Sequence, residues 1–220
     1  DWLPAGSLSD PSVEDPTACP VTNTVYELTV TDANGCTDVD SVSITVNVLP
    51  SVDAGSDINL CLGQDTTLAA SGAATYAWTP ISDLSDPTIF NPISSTDTTI
   101  TYTVTGTDIN SCSNTSNITI TVNALPIITV SNDTTICSND STQLIATGGI
   151  AYSWSPILDL SDPSISNPFA TPSSNTTYTV IVTNSNACED TAQVTVSVFS
   201  LPTVITDSDT SICLNECVSL

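Results

Sequence analysis

The amino-acid sequence predicts an all-β protein: seven-stranded β-sandwiches arranged end to end, one in every 76 residues. Three observations lead there. Leu49-Pro50, Leu125-Pro126 and Leu201-Pro202 stand 76 residues apart, and Cys61, Cys137 and Cys213 keep that interval, as do Cys36, Cys112 and Cys188, then Trp2, Trp78 and Trp154, then Tyr26, Tyr102 and Tyr178. A fixed period without insertion marks a tandem array. Within each period, short runs of alternating apolar and polar residues are separated by turn signals roughly every 8–12 residues. No stretch has helical periodicity.

The elements follow in chain order. Residues 1–49 read as the rear part of a repeat. Trp2 stands where the third strand belongs. Leu8-Ser9-Asp10-Pro11 is turn chemistry and recurs as Leu84-Ser85-Asp86-Pro87 and Leu160-Ser161-Asp162-Pro163. Asp15-Pro16, Asn91-Pro92 and Asn167-Pro168 add a second turn. Tyr26, Leu28 and Val30 then alternate with Glu27 and Thr29 as a strand. Asn34-Gly35 predicts a hairpin, and Val42, Ile44, Val46 and Val48 form the returning strand.

Residues 50–125 supply a whole unit. The first strand covers about residues 51–60, with a kink at Gly55, and a turn follows at 63–65. A short strand at 67–70 ends in a turn at Ser71-Gly72. Tyr76 and Trp78 mark the next strand, and two short edge segments cross 83–95. Ile100, Tyr102 and Val104, then Ile118, Ile120 and Val122, complete the unit. Residues 126–201 repeat the pattern. Residues 202–220 begin a further unit, in which Leu220 aligns with Leu144 and Leu68. The 220 residues therefore read as an excerpt of a longer chain whose nearest partners are its own neighbouring repeats. Joints stiffened by proline favour a semi-rigid rod.

Charge narrows the function classes. The chain carries 24 Asp and Glu and no Lys, Arg or His, a formal charge of −24. No side-chain salt bridge can form within it. Self-repulsion predicts stability that rises with ionic strength. Nucleic-acid binding, which runs on Lys and Arg, is excluded, and an anionic membrane surface is no better a partner. No run of about 18 apolar residues is present to insert into a bilayer. The 40% apolar share, placed in alternation, argues against disorder. Eight cysteines, six at periodic positions, suit an oxidising extracellular or cell-surface setting. Cys213 and Cys217 form the one close pair, and no second pair completes a zinc site. Without His, Lys or Arg, only a carboxylate pair in a cleft could catalyse, so the chain reads as no enzyme.

Individual residues have both a functional and a structural reading. Trp2, Trp78 and Trp154 as sugar platforms compete with a buried tryptophan of a sandwich core, which is favoured. Tyr26, Tyr102 and Tyr178 read as core. Asp57, Asp133 and Asp209 recur, as do Asp32 and Asp108. Asp65, Asp97, Glu189 and Asp190, expected to face one another across the second joint, are candidate ligands for Ca2+, which takes about six to eight oxygens. None has the spacing of a dedicated calcium loop. Solvation and turn capping is the competing reading, and no other cofactor is implied.

The motif Cys-x-Gly/Asn, Thr-x-Leu, Tyr-x-Trp-x-Pro, Asn-Pro, Thr-Tyr-Thr-Val, Thr-Asp-x-Asn-x-Cys, Leu-Pro resembles the Ig-like/PKD-like repeats of giant Bacteroidota surface proteins. The resemblance covers the whole chain. Asn184 departs from it, replacing the Asp of the last cysteine motif, and so does the lack of Lys and Arg. It implies export, usually by type IX secretion, and a role as adhesin, stalk or self-associating filament. It also implies two cysteines per repeat, and so bridges Cys61–Cys112 and Cys137–Cys188.

Sandwich topology raises an alternative. Cys61 precedes the first turn at one end of its unit, whereas Cys112 lies at the last hairpin, at the other end. A disulfide tolerates about 7 Å between Cα atoms. In an end-to-end array Cys61 would then meet Cys188 across the joint. Pairing Cys112 with Cys137 sets opposite ends together and is disfavoured. Cys19, Cys36, Cys213 and Cys217 are expected to find partners outside these residues. Cys19 aligns with Ser95 and Thr171, and Cys217 with Asp65 and Ser141. Both loops belong to one end of the sandwich, which predicts a second disulfide in some units between a Cys217-type and a Cys19-type position.

Overall fold

The computed structural model describes residues 1–206, 209 and 211–219. Leu220, aligned above with Leu144, lies outside the described residues. The chain divides into two compact units, Asp1–Ile58 with Asp65–Thr121, and Asn59–Gln64 with Val122–Leu220. All regular structure among the described residues is β, and the architecture is that of tandem Ig-like sandwiches.

Residues 1–49 form one antiparallel sheet of β1 (Trp2–Leu3), β2 (Thr24–Thr31) and β3 (Thr37–Ile44), in that order. The next six strands are β4 (Ile58–Cys61), β5 (Thr66–Thr67), β6 (Thr75–Thr79), β7 (Ile93–Ser94), β8 (Ile100–Thr107) and β9 (Ser113–Asn123). They make a four-stranded sheet of order β4-β9-β8-β6 and a two-stranded sheet β5-β7. The remaining strands are β10 (Thr129–Val130), β11 (Thr134–Cys137), β12 (Thr142–Gln143), β13 (Ala146–Thr147), β14 (Ala151–Ser155), β15 (Phe169–Ala170), β16 (Thr176–Thr183) and β17 (Glu189–Phe199). Their large sheet has the order β11-β17-β16-β14, opposed by the pairs β10-β13 and β12-β15.

The first strand of a repeat is not one element, as expected above, but two. β10 pairs antiparallel with β13, and β11 pairs parallel with β17 in the other sheet. In residues 50–125 the same exchange runs from the bridge Asp53–Ser71 to β4. Gly55, with φ of 86°, makes the bend there. The turn that follows brings two backbones together. A Cβ on Gly72 (φ 89°) would stand 1.8 Å from Ser51 O, and one on Gly148 (φ 110°) 2.1 Å from Ile127 O. Only glycine fits either place.

The two edge segments expected over 83–95 are also reduced. Asp-Pro and Asn-Pro steps hold this stretch in turns, leaving the bridge Leu84–Ser94 and β7, with Leu160–Ala170 and β15 as counterparts. Proline has no N–H to give to a ladder.

β8 and β9 run in register with Tyr102 opposite Ile118 and Ile100 opposite Ile120. Tyr102, Val104, Ile118 and Ile120 are buried with Trp78 and Leu68. In the last repeat Leu144, Ala146, Trp154, Ala170, Tyr178, Val180, Val182, Val194 and Val196 form one core. Strand alternation aims these residues inward and the intervening threonines outward.

Candidate functional site

The hairpin between the last two strands positions one cysteine per repeat. It is a wider turn than the two-residue hairpin that Asn34-Gly35 suggests. Asp32 N–H bonds Cys36 O at 2.9 Å and Gly35 N–H bonds Asp32 O at 3.0 Å, while Asp32 Oδ1 accepts from Asn34 N–H and Cys36 N–H, both at 2.8 Å. Those bonds from Cys36 and Asn34 hold the Asp32 carboxyl below its ordinary value. Asp108 repeats the clasp on Asn110 and Cys112 at 2.8 and 2.9 Å. Asn184, the departure from the motif, accepts from Asn186 and Cys188 at 2.9 and 3.1 Å, and its Nδ2 donates to Ala124 O at 2.9 Å. A carboxylate cannot donate that last bond.

The other cysteine position closes a strand. Cys61 ends β4, and its N–H donates to Gln64 Oε1 at 2.9 Å in the turn that follows. Cys61 and Cys188 are joined, with Cα atoms 5.5 Å apart and a sequence separation of 127. Cys188 is fully buried. The bridges within a repeat, Cys61–Cys112 and Cys137–Cys188, do not form. For the second pair the register gives the reason: Cys137 stands opposite Phe199, at the far end of β17 from Cys188, beyond disulfide reach. Cys19, Cys36, Cys112, Cys137, Cys213 and Cys217 are free thiols.

The carboxylates serve the backbone. Asp57 Oδ1 accepts from Thr119 N–H and Asp133 Oδ1 from Thr195 N–H, both at 2.8 Å, tying the first strand of a repeat to its last. Asp209 is exposed. Asp65 and Asp97 are exposed in the first unit. In the second, Glu189 accepts from Thr183 Oγ1 at 3.2 Å and Asp190 from Thr191 N–H at 2.7 Å. Among the described residues no three or more Asp, Glu, Cys or His stand where they could hold a metal ion.

Asp10, Asp86 and Asp162 each accept from a hydroxyl two residues on at 2.6 Å and from that residue's N–H at 2.9, 2.8 and 2.8 Å. The hydroxyl bond first, then the N–H bond, holds all three below the ordinary carboxyl value. The preceding serine has a role that turn chemistry alone does not announce. Ser9, Ser85 and Ser161 Oγ accept from the N–H of Thr17, Ile93 and Phe169 at 3.0, 2.9 and 2.9 Å, closing the loop eight residues on. The recurring Leu-Ser-Asp-Pro was the available signal.

The periodic Trp and Tyr residues of the two complete repeats are core. Trp78 and Trp154 are 1% exposed and donate to Ile89 O and Ile165 O at 3.0 Å, so neither offers a face to sugar. Tyr26, Tyr102 and Tyr178 are buried. A cavity of about 520 Å3 lined by Ser138, Ser173, Ser174, Asn175, Val198 and Ser200 has no carboxylate. Among the described residues no helix is long and apolar enough to cross a membrane.

No protein-family profile matches the chain, and no curated protein matches it. Among solved structures it is similar to DIP-gamma Ig1+Ig2, at 15% identity over 68% of this chain and 98% of that one, with a TM-score of 0.32. The insect immune protein hemolin is similar at 11% identity over 80% of this chain and 56% of that one, with a TM-score of 0.35. Sidekick-1 immunoglobulin domains 1–5 are similar at 10% identity over 84% and 48%, with a TM-score of 0.33.

Proposed function

We propose that the chain is the repeat region of an extracellular or cell-surface fibre, stalk or appendage, with repeat boundaries at 1–49, 50–125, 126–201 and 202–220. Its work is mechanical. The sandwiches act as spacers, further repeats of the same kind are its partners within the chain, and copies associate in a filament. The motif resemblance makes the source a bacterium of the Bacteroidota that exports the chain by type IX secretion, for adhesion or cell contact.

The observation that carries the reading is the Cys61–Cys188 bridge, which connects residues of two successive sequence periods. Such a bond suits an oxidising environment and shortens the length of chain that can be pulled out under load. Two further features support it. Trp78 and Trp154 are buried in the cores, and no Lys or Arg offers a trypsin-type cleavage site.

The test is immunogold electron microscopy of native cells with antibodies raised against residues 50–201. Gold on surface filaments or released fibres is the expected result. Label confined to the cell interior overturns the proposal.

A further inference from the structure

Two cysteines lie off the periodic positions. Cys19 occupies the place of Ser95 and Thr171, and Cys217 that of Asp65 and Ser141. In both complete repeats those places lie one residue beyond the end of a two-residue ladder. β5 pairs β7 with Thr66 opposite Ser94, and β12 pairs β15 with Thr142 opposite Ala170. The next register step sets Asp65 against Ser95 and Ser141 against Thr171.

Hydrogen bonding identifies the kind of pair. Leu68 N–H bonds Pro92 O, and Leu144 N–H bonds Pro168 O, both at 2.9 Å. Ser95 N–H turns the other way, to Asp83 O, and Thr171 N–H to Asp159 O, both at 2.9 Å. The 65/95 and 141/171 positions are therefore non-hydrogen-bonded pairs, whose Cα atoms approach to about 4.5 Å. That separation lies within disulfide range, roughly 4.4–6.8 Å. All four residues are exposed.

The cysteines themselves sit in the matching local structure. Cys19 N–H bonds Ser7 O at 2.9 Å, the counterpart of the Ser95 bond. Cys217 follows a turn in which Glu216 N–H bonds Cys213 O at 3.1 Å, as Gln64 bonds Cys61 O and Asp140 bonds Cys137 O at 3.0 Å. Asn215 has φ of 74°, as has Asn139, and Gly63 has 83°.

We propose that positions 65/95 and 141/171 mark a cross-strand disulfide site of the repeat, and that Cys217 and Cys19 are native occupants of its two halves. Each pairs, within its own repeat, with a cysteine at the other's position. The bond forms by exchange with a small disulfide such as oxidised glutathione. One protein thiolate attacks it and releases a glutathione thiolate. The second protein thiolate then attacks the mixed disulfide and releases the other. Two protein thiols are oxidised, one glutathione disulfide is reduced, and the two protons leave on the glutathione thiols.

The test uses the 220-residue chain with its six free cysteines changed to serine, so that Cys61–Cys188 alone remains. Into it go Asp65→Cys with Ser95→Cys, and separately Ser141→Cys with Thr171→Cys. A third variant, Asp65→Cys with Ile93→Cys, places the thiols on the diagonal, where Cα atoms are about 7–8 Å apart. Under oxidised glutathione both in-register pairs are expected to close, by mass mapping, and to raise Tm by about 5 °C over their reduced forms. The diagonal pair keeps two glutathione adducts. If either in-register pair remains as adducts while Cys61–Cys188 is intact, or the diagonal pair closes as readily, the proposal is wrong.

Discussion

Residues 50–125 and 126–201 share a four-stranded sheet and a facing pair of short strands but fill one core position differently. The first has Ala73 and Gly106, the second Gly149 and Val182. A Cβ added to Gly106 would stand 2.7 Å from the Ala73 Cβ and 2.6 Å from a Val52 methyl, while one added to Gly149 would stand 2.4 Å from a Val182 methyl. Volume removed on one strand is restored on the other, because a close-packed interior tolerates neither void nor excess. The polar side is not balanced in the same way. Tyr102 OH donates to Ser82 O at 3.0 Å and meets Ser94 Oγ at 3.2 Å. Tyr178 has Ala170 in place of that serine, and its buried hydroxyl has no partner among the described residues. At these positions the packing change is answered by a neighbouring residue and the hydrogen-bond change is not.

The largest contrast to break is covalent. Reduction, or Cys188→Ser, releases a cross-link spanning 127 residues and is expected to cost the second unit about 2–5 kcal/mol. Calorimetry should show its transition moving down while Cys112→Ser moves nothing. Superimposable oxidised and reduced scans would contradict this.

The volume exchange comes next. Gly106→Val should destabilise by about 1–3 kcal/mol through overpacking. Adding Ala73→Gly should recover part of that loss, a non-additivity expected of touching residues. Strict additivity in chemical denaturation would show that the two positions do not share one space.

The tyrosines give a smaller, signed difference. Tyr102→Phe removes satisfied hydrogen bonds and should cost about 1 kcal/mol. Tyr178→Phe removes an unpaired buried hydroxyl and should cost nothing or stabilise, and Ala170→Ser should stabilise by supplying the missing partner. Equal losses in the two Phe variants would deny the asymmetry.

Acid gives the smallest effect, and it should be shared by the two repeats. Asp86 and Asp162 are held below 3.8 by their hydroxyl and N–H partners. A depressed folded value contributes stability that is present above 3.8 and is lost as pH falls through the lower folded value. Asp86→Asn and Asp162→Asn should each flatten the fall of Tm with acid. Profiles as steep as wild type would remove the turn carboxylates from the account.

Residues 1–49 and the matching stretch of the last repeat differ in burial. Val30, the counterpart of fully buried Val182, is 56% exposed, and Val42 is 47% exposed where Ile118 is 2%. A cavity of about 300 Å3 lies against Trp2, Tyr26, Val42 and Ile44. In the last repeat the matching Trp154, Tyr178, Val194 and Val196 enclose Leu144 and Ala146, which have no counterpart in residues 1–49. Tyr26 is nevertheless 1% exposed, because strand pairing and the loop over 5–18 already cover it.

Much of this was legible in the sequence because it is local. The interval of 76, the alternation of Tyr102 and Val104 with threonine, and the turn residues of Leu-Ser-Asp-Pro each act over a few positions. They determine an all-β chain, its strand faces and its buried aromatics through side-chain direction and backbone preference alone. Tertiary structure decided what depends on separations that a one-dimensional pattern does not carry. It split the first strand between two sheets, set Cys61 beside Cys188 rather than Cys112, and coupled Ala73 to Gly106 across strands. It also brought Asp57 and Asp133 onto the N–H groups of Thr119 and Thr195. A disulfide, a shared volume and a hydrogen bond each require atoms within a few ångströms, and only the folded chain sets those distances.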